Sequence, residues 1–345
     1  MKIGDFKINK TSPVFIIAEL SANHNGSLDN ALATVKAAKR AGADCIKLQT
    51  YTADTITLDC DREDFVIQGT IWDGRKLHSL YQEAYTPWDW HKEIYNLAKE
   101  EGLICFSSPF DNTAVDLLES LNSPAYKIAS FEITDIPLIE YVASKGKPVI
   151  ISTGIAQEED IELALDACYR MGNHDIALLK CTSSYPAPIE EANMCMVRDL
   201  AERYQVISGL SDHTLGSTVP IVATVFGAKI IEKHFIIDRA IGGPDASFSM
   251  NEEEFTAMVK AVREAEKAIG VVDYHLTEKQ IKGKDFSRSL YIAEDVKAGT
   301  ILTENNLRSV RPGFGLHPKY YHELLGKRVN TDIEKGTRMR LDFIK

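Results

Sequence analysis

The sequence predicts a (β/α)8 barrel followed by a small β-rich domain, and two observations lead to this fold class. Eight short β-branched apolar runs alternate with segments of helical periodicity along the first three-quarters of the chain. This alternation is typical of parallel strands joined by crossover helices, and eight such units can close a barrel. The predicted strands are residues 14–19, 44–49, 103–108, 125–130, 148–153, 176–181, 206–211 and 229–235.

The second observation concerns the end of the chain, where a short motif occurs twice. The pattern Asp-apolar-x-x-Gly-Thr-x-apolar appears at 295–302 and again at 332–339. Two turn-bearing half-units predict a compact β-rich domain of about 60 residues. We therefore expect a barrel over 1–270, a polar linker over 271–286 and a second domain over 287–345.

The crossover helices are visible as apolar stripes. In the segment that follows the first strand, apolar residues recur at helical spacing and Gly42 supplies the expected C-terminal stop. Residues 252–270 predict the last barrel helix in the same way. The stripe of the first helix consists of Leu28, Ala31, Leu32, Val35, Ala38 and Ala41.

One segment does not fit the alternation, the long insertion over residues 52–87 after the second strand. Long loops at the carboxyl ends of barrel strands usually shape the active site, which predicts a segment that faces a substrate or a partner subunit. A helix packed on the side of the barrel explains the same residues equally well.

Composition and charge exclude several classes of protein. The 345 residues include 39 Lys and Arg against 50 Asp and Glu, for a net charge of −11. That balance argues against a general nucleic-acid surface or an anionic-membrane surface. No stretch reaches the ~18 apolar residues that span a bilayer, and we expect no secretion signal. The six cysteines show no C-x-x-C spacing, which favours reduced thiols and a cytoplasmic location.

Polar residues capable of catalysis or anion binding end every predicted strand. The carboxyl ends of barrel strands meet on one face, so these side chains are expected to share one site. A single buried Lys or Ser would need only a structural explanation, whereas eight such endings favour function. They are Glu19, Lys47, Gln49, Ser107, Ser108, Lys127, Ser130, Glu132, Ser152, Lys180, Ser183, Tyr185, Ser211, His213, Glu232 and His234.

Two histidines near the last strands predict a divalent metal site. Period-two alternation places Glu232 and His234 on the same face of their strand, and His213 follows the adjacent strand. Mixed nitrogen and oxygen ligands would suit Mn²⁺, Co²⁺, Mg²⁺ or Zn²⁺. A lone histidine is more often a hydrogen-bonded structural residue, and the pairing favours metal ligation.

Lys47 and Lys127, together with the serines at neighbouring strand ends, predict binding of a phosphate and a carboxylate. Ammonium groups supply charge and hydroxyls supply directed donors. The alternative is that each lysine is a core residue paired with Glu19, Glu132 or Glu232. The sequence contains no P-loop, no G-x-G-x-x-G and no G-x-S-x-G motif.

Nine motifs, in order and over nearly the whole chain, resemble the sialic acid synthase family. The resemblance implies a (β/α)8 TIM barrel followed by an antifreeze-like (SAF) domain, in a domain-swapped homodimer whose C-terminal domain covers the partner's active site. The motifs are AELSANHNG (18–26), KLQTY (47–51), FSSPFD (106–111), YKIASFE (126–132), ISTGI (151–155), KCTSSYP (180–186), GLSDHTLG (209–216), IIEKHF (230–235) and SVRPGFGLHP (309–318).

The resemblance also implies an activity and a set of site residues. A divalent cation, commonly Mn²⁺ with Mg²⁺ and Co²⁺ as alternatives, would be held by His213 and His234. It would help condense phosphoenolpyruvate with an N-acyl amino sugar. The sialic acid branch has Thr at the position of Ser108 and Asn at that of Ser183. The implied phosphoenolpyruvate ligands are Lys47, Ser108, Lys127, Ser130, Ser152, Ser183 and Ser211. The implied sugar ligands are Gln49, Glu132, Tyr185, Asp245 and, from the partner subunit, Arg311.

Glu19 is the expected acid/base carboxylate for the water that attacks the oxocarbenium-like centre, with Glu232 in support. Residues 71–91, Phe131 and residues 313–318 resemble the pseudaminic branch of the family. The substrate of that branch is 2,4-diacetamido-2,4,6-trideoxy-L-altrose.

Three alternatives stay open on the sequence alone. Another synthase of the family would make N-acetylneuraminic or legionaminic acid. A metal-dependent aldolase would take pyruvate in place of phosphoenolpyruvate and release no phosphate. A catalytically silent sugar-binding scaffold would not need Glu19, Lys47, Lys127, His213 and His234 together.

Overall fold

A computed structural model describes residues 1–344 of the chain. The chain divides into two compact units, Met1–Gly270 and a second that begins at Val271. No helix among these described residues is both long enough and apolar enough to cross a membrane.

The first unit is built on a closed barrel of eight parallel strands, as predicted. Neighbouring strands pair in chain order, and the last strand closes the barrel against the first through Ile230 opposite Phe15. A two-stranded antiparallel hairpin precedes the barrel. The strands are β1 Lys2–Ile3, β2 Phe6–Lys7, β3 Phe15–Glu19, β4 Cys45–Thr50, β5 Ile104–Pro109, β6 Tyr126–Ile128, β7 Val149–Ser152, β8 Ile176–Cys181, β9 Ile207–Asp212 and β10 Ile230–His234.

Helices connect these strands. The first begins at Ser27, whose side chain accepts a hydrogen bond from Asn30 N, and it ends before Gly42, whose φ of +86° explains why glycine stands there. The helices are α1 Leu28–Arg40, α2 Ala53–Ile56, α3 Leu77–Ala84, α4 Trp88–Glu100, α5 Asn112–Ser120, α6 Ile136–Ala143, α7 Glu158–Arg170, α8 Cys195–Tyr204, α9 Thr218–Val225, α10 Glu252–Ile269, α11 Glu278–Gly283 and α12 Tyr321–Leu324.

Side chains alternate between the inside and the outside of the barrel. In β3, Phe15 and Ile17 belong to the core inside the barrel, whereas Ile16 and Ala18 pack in the layer between sheet and helices. The same inner core includes Ile3 of the amino-terminal hairpin. The inward positions are therefore apolar toward the amino ends of the strands, and polar residues occupy the same face nearer the carboxyl ends.

The insertion over 52–87 contains the short helices α2 and α3 and a turn between residues 66 and 76. The turn is closed by a bridge between Val66 and Lys76. Leu80 of α3 is buried, and Tyr81 packs edge-on against Tyr51 with ring centroids 5.7 Å apart. The insertion is thus both a packed side helix and a wall of the cavity described below.

The second unit has its own small core and a reciprocal arrangement of the two repeated motifs. Strands β11 Ser289–Ile292 and β12 Leu307–Val310 pair antiparallel. Asp332 accepts from Ala298 N at 2.8 Å, and Asp295 accepts from Lys335 N at 2.7 Å, so each motif caps the turn of the other. The interval before β11 contains α11 within this unit, and its role as a linker stays a prediction.

Gly209 of β9 provides a test of packing inside the barrel. A Cβ at this position would collide with the Ile230 carbonyl oxygen and lie 2.7 Å from Leu179 Cδ2. We expect Gly209→Ala to lower the free energy of unfolding by ~1–3 kcal/mol, measured by urea denaturation. Gly283→Ala meets no atom within 4 Å and is the control, with an expected change under ~0.5 kcal/mol. Equal stability of the two variants would contradict this packing.

Candidate active site

The candidate site is a cavity of about 370 Å³ at the carboxyl ends of the barrel strands. Its charged and polar walls come from residues that the sequence placed at the strand ends, together with Asp245, which the family resemblance implied. These lining residues are Glu19, Lys47, Gln49, Lys127, Ser130, Glu132, Ser152, Ser183, Tyr185, Ser211, His213, Glu232, His234 and Asp245.

Strand geometry explains why these side chains converge. Glu19 follows the inward residues Phe15 and Ile17 at a spacing of two, so it continues their face into the cavity. The parallel register then places Lys47 beside Glu19 on the next strand. On the other side, His234 lies opposite Glu19.

Lys47 lies between two buried carboxylates. Its Nζ is 2.6 Å from Glu19 Oε2 and 3.5 Å from Glu232 Oε1, and it donates to Ser108 Oγ at 3.2 Å. Gln49 Nε2 donates to the second oxygen of Glu19 at 3.0 Å. Lys47 is therefore an ion-paired core residue that also lines the cavity, and Ser108 lies behind it as a hydrogen-bond acceptor.

The two carboxylates differ in proton affinity. Burial raises the pKa of Glu19 to about 7, although Lys47 opposes the rise. Burial would also raise the pKa of Glu232, but Lys127 and Lys47 outweigh it and hold that pKa below its ordinary value. Neighbouring acids with separated pKa values are typical of an acid/base site, and Glu19 is the one that can exchange a proton near neutral pH.

Lys127 and three serine hydroxyls lie together at one end of the cavity, which could bind an anion. Burial lowers the pKa of Lys127, whose side chain is enclosed with only 2% of its surface exposed. Ser130 Oγ accepts from Gly154 N at 3.1 Å, and Ser152 Oγ is buried without a hydrogen-bond partner among residues 1–344. A buried unpaired hydroxyl is costly, and a bound anion would satisfy it. Ser183 Oγ faces the same position, since a Cβ on Gly154 would collide with it.

His213 and His234 lie with ring centroids 5.3 Å apart. The Nδ1 of His213 is 3.0 Å from the Thr182 carbonyl oxygen, which leaves Nε2 for a ligand. The Nδ1 of His234 is buried without a hydrogen-bond partner in the described chain and lies 3.8 Å from Asp245 Oδ2. Burial lowers the pKa of His234 well below its ordinary value, so the ring is neutral.

These two imidazoles fit a divalent cation as a pair of nitrogen ligands, because each ring has a nitrogen without a protein partner. Within residues 1–344 there is no group of three or more His, Cys, Asp or Glu side chains arranged to hold a metal ion. The protein therefore offers two ligands, and the remaining positions would fall to bound molecules.

A buried ion pair on the outer side of the barrel fixes the loop that bears His213. Lys233 Nζ is 2.5 Å from Asp212 Oδ2 and donates to the Thr214 carbonyl oxygen. Asp212 Oδ1 accepts from Thr214 N at 3.0 Å. The residues on both sides of His213 are thus held in place.

The structure brings together the predicted site residues of the barrel. Arg311 belongs to the second unit, where it is exposed, and its place against a partner subunit stays a prediction. Ser108 contacts Lys47 and does not itself line the cavity. Two strand-end residues point away from it. Lys180 Nζ donates to the Cys181 carbonyl oxygen, and Ser107 Oγ is 2.6 Å from Thr50 Oγ1 in the outer layer. Both occupy outward positions of their strands.

Several residues of the cavity were not named individually from the sequence. The aromatic side chains of Tyr51, Trp72, Tyr81 and Phe110 line the cavity. Their sequence context gives no periodicity that assigns them to a pocket. Gly154 could have been predicted to lie near the site, because it stands in the ISTGI motif directly after a predicted strand.

The fold and the cavity define a class of protein, a (β/α)8-barrel enzyme with its candidate active site at the carboxyl face of the strands. The NeuB family model matches residues 34–274, and the SAF domain model matches residues 287–344. The chain belongs to the NeuB family.

Named relatives agree with the family model. The chain is 50% identical over 340 residues to the pseudaminic acid synthase of Campylobacter jejuni subsp. jejuni serotype O:23/36 (strain 81-176), covering 99% of this chain and 98% of the relative. It is 47% identical over 334 residues to the pseudaminic acid synthase of Helicobacter pylori (strain ATCC 700392 / 26695), covering 96% and 98%.

A solved structure in the same family shares the architecture. The N-acetylneuraminic acid synthetase of Leptospira borgpetersenii serovar Hardjo-bovis, in complex with citrate, superimposes with a TM-score of 0.73 at 29% identity. The match covers 82% of this chain and 94% of that one.

Proposed function

We propose that this chain condenses phosphoenolpyruvate with 2,4-diacetamido-2,4,6-trideoxy-L-altrose to give pseudaminic acid and phosphate. The observation that carries the proposal is the 50% identity, over 99% of this chain, to a pseudaminic acid synthase. The match to an N-acetylneuraminic acid synthetase is weaker, at 29% identity. The cavity described above offers groups for each part of the reaction.

Phosphoenolpyruvate binds at the end of the cavity that contains Lys127 and the serines. Its phosphate and carboxylate are anionic, and the two buried lysines offset that charge in surroundings that water does not screen. Ser130, Ser152 and Ser183 lie around Gly154 or the adjacent strand end and supply directed donors. Ser108 and Ser211 support this end through Lys47 and Glu232.

The sugar occupies the rest of the cavity, in contact with Gln49, Glu132, Tyr185 and Asp245. Burial raises the pKa of Glu132 to about 7, and its Oε2 is buried without a partner among the described residues. A carboxyl group in this state can either donate or accept a hydrogen bond. It therefore suits a neutral ligand that bears both hydroxyl and amide groups.

His213 and His234 would hold the divalent cation, for which we propose Mn²⁺. A cation there would supply Lewis-acid polarisation of the sugar's aldehyde. The two rings lie beside Tyr185, whose ring centroid is 4.4 Å from that of His213, so the cation-binding end adjoins the sugar-binding region.

The bond changes balance as follows. The methylene carbon of phosphoenolpyruvate forms a bond to the aldehyde carbon of the open-chain sugar, and the carbonyl double bond of the aldehyde becomes an alkoxide. Water adds to the oxocarbenium-like carbon that bears the phosphate, and Glu19 accepts one proton of that water and passes it to the alkoxide, while Lys47 and Glu232 hold its position and charge. The carbon–oxygen bond to phosphate then breaks, the remaining proton of the water leaves with the phosphate, and the 2-keto acid is left.

We further propose a domain-swapped homodimer in a cytoplasmic setting. Arg311 is exposed in the second unit and carries a guanidinium suited to a polar ligand, which supports a role in the partner's site. All six cysteines are free thiols, which supports a reducing compartment.

The first prediction from this proposed function concerns the substrates. Purified protein with phosphoenolpyruvate and Mn²⁺ is expected to release phosphate with 2,4-diacetamido-2,4,6-trideoxy-L-altrose in preference to N-acetylmannosamine or the legionaminic precursor. The product acid is identified by mass spectrometry and NMR. Preference for another sugar would assign another synthase reaction. Turnover of pyruvate without phosphate release would indicate an aldolase, and sugar binding without turnover would indicate a scaffold.

The second prediction concerns Glu19. Glu19→Gln is expected to lower kcat by roughly 100- to 10,000-fold, because the amide cannot accept the proton of water. Metal content, measured by plasma mass spectrometry, should stay at the wild-type level. Glu252→Gln, which alters an exposed partner of Arg40, is the control and should keep wild-type kcat. A Glu19→Gln variant with near wild-type turnover would remove the proposed role.

The third prediction concerns Gly154. Gly154→Ala would displace Ser183 Oγ and crowd Ser130 Oγ, which a Cβ would approach to 2.6 Å. Loss of one hydrogen bond to a charged ligand predicts a roughly 10- to 100-fold rise in KM for phosphoenolpyruvate. The KM for the sugar should change little, and Gly283→Ala is again the control. Equal rises for both substrates would place Gly154 outside the anion-binding end.

A further inference from the structure

The cavity has one wall that the reaction above does not use. It is contributed by the insertion and is mostly apolar, through Ile56, Ile67, Trp72, Leu77, Leu80 and Tyr81. No family motif quoted for this chain supplies a role for it. A sugar that reaches this wall must offer apolar surface, since hydroxyls packed there would lose their hydrogen bonds to water.

Trp72 is one of three residues that bring a polar side-chain group to this wall, with Thr70 and Tyr81. Its Nε1 is buried and has no hydrogen-bond partner within residues 1–344. The indole ring lies 5.8 Å from the ring of Tyr185, at an interplanar angle of 55°. The Tyr185 ring in turn contacts His213, so Trp72 stands one aromatic ring away from the candidate cation site.

The turn that bears Trp72 is held by its own hydrogen bonds. Ile67 N donates to the Arg75 carbonyl oxygen and Gly74 N donates back to that of Ile67, each at 2.8 Å. The Trp72 amide donates to Thr70 Oγ1 at 3.1 Å. The indole is therefore placed in the wall before any ligand binds, and little ordering is needed on binding.

We propose that Trp72 determines sugar specificity by donating its indole N–H to the carbonyl oxygen of the sugar's 4-acetamido group. The inference rests on the proposed function and extends it to a named residue and a named substituent. The acetamido methyl and the 6-deoxy carbon pack against the aliphatic part of the wall, with Ile56, Ile67 and Leu77.

The chemistry of the wall favours an acetamido group over a hydroxyl. An acetamido carbonyl accepts the indole hydrogen bond, and its methyl tolerates the apolar neighbours. A hydroxyl could accept the same bond, but its own O–H would need an acceptor that these aliphatic side chains do not supply. The reacting carbon of the sugar lies at the charged end, so the wall meets carbons farther along the chain. The second acetamido group is found there.

Trp72→Phe tests this, because it removes the N–H and keeps an aromatic ring. With 2,4-diacetamido-2,4,6-trideoxy-L-altrose we expect KM to rise about tenfold, while kcat and the KM for phosphoenolpyruvate stay unchanged. The same assay is run on the analogue with hydrogen in place of the 4-acetamido group, because that substituent cannot accept a hydrogen bond. On that sugar the variant and the wild type should have the same KM.

Trp90→Phe is the matched control, since Trp90 packs against His24 outside the cavity, and thermal melting reports whether each variant folds. A Trp72→Phe variant with unchanged KM would overturn the inference, and so would an equal rise in KM on both sugars. If the wild type turns over neither sugar, the proposed function fails first and the inference fails with it. The wild-type assay therefore separates the two failures.

Discussion

The pairing of Lys47 with Glu19 and Glu232 is the interaction on which the candidate site depends. All three side chains are almost fully enclosed, with 1% of Glu19 and 3% of Lys47 exposed. Burying one of these charges alone would be costly, so each requires the others. Lys127 adds a second positive charge near Glu232 and, together with Lys47, lowers the pKa of that carboxyl. At Glu19, burial outweighs the effect of Lys47 and raises the pKa to about 7, so this carboxyl can exchange a proton near neutral pH.

Barrel geometry makes this cluster possible without a dedicated loop. Each inward strand face begins with apolar residues that fill the barrel and ends with polar residues that open into the cavity, as in Phe15, Ile17 and Glu19. The parallel register then sets Lys47 beside Glu19. The core that stabilises the barrel and the groups that carry the chemistry therefore lie on the same strands. A shift of one residue along a strand would exchange its inward and outward side chains.

Much of this arrangement could be predicted from the sequence, because the strands are apolar and the period of two is strict. All eight strands were located to within about two residues, and Glu232 and His234 were correctly placed on one face. The prediction that every strand-end polar group shares the site was too broad. Lys180 stands one residue out of phase and its ammonium bonds to the backbone instead. The insertion was expected to face a substrate or a partner subunit, but its individual aromatic residues were not named, because their positions depend on a turn with no periodic signal.

The cavity thus has a charged part on the barrel strands and a mostly apolar part on the insertion. Residues fixed on the strands form the ion cluster, where a change of one residue would disturb several buried partners. The insertion supplies a wall of the same cavity from helix α3 and a turn held by its own hydrogen bonds, and its residues take no part in the ion cluster. Substitutions in that wall can alter which sugar fits while the Glu19–Lys47–Glu232 cluster stays intact. Physical independence of this kind allows one barrel to serve different sugars with the same anionic donor.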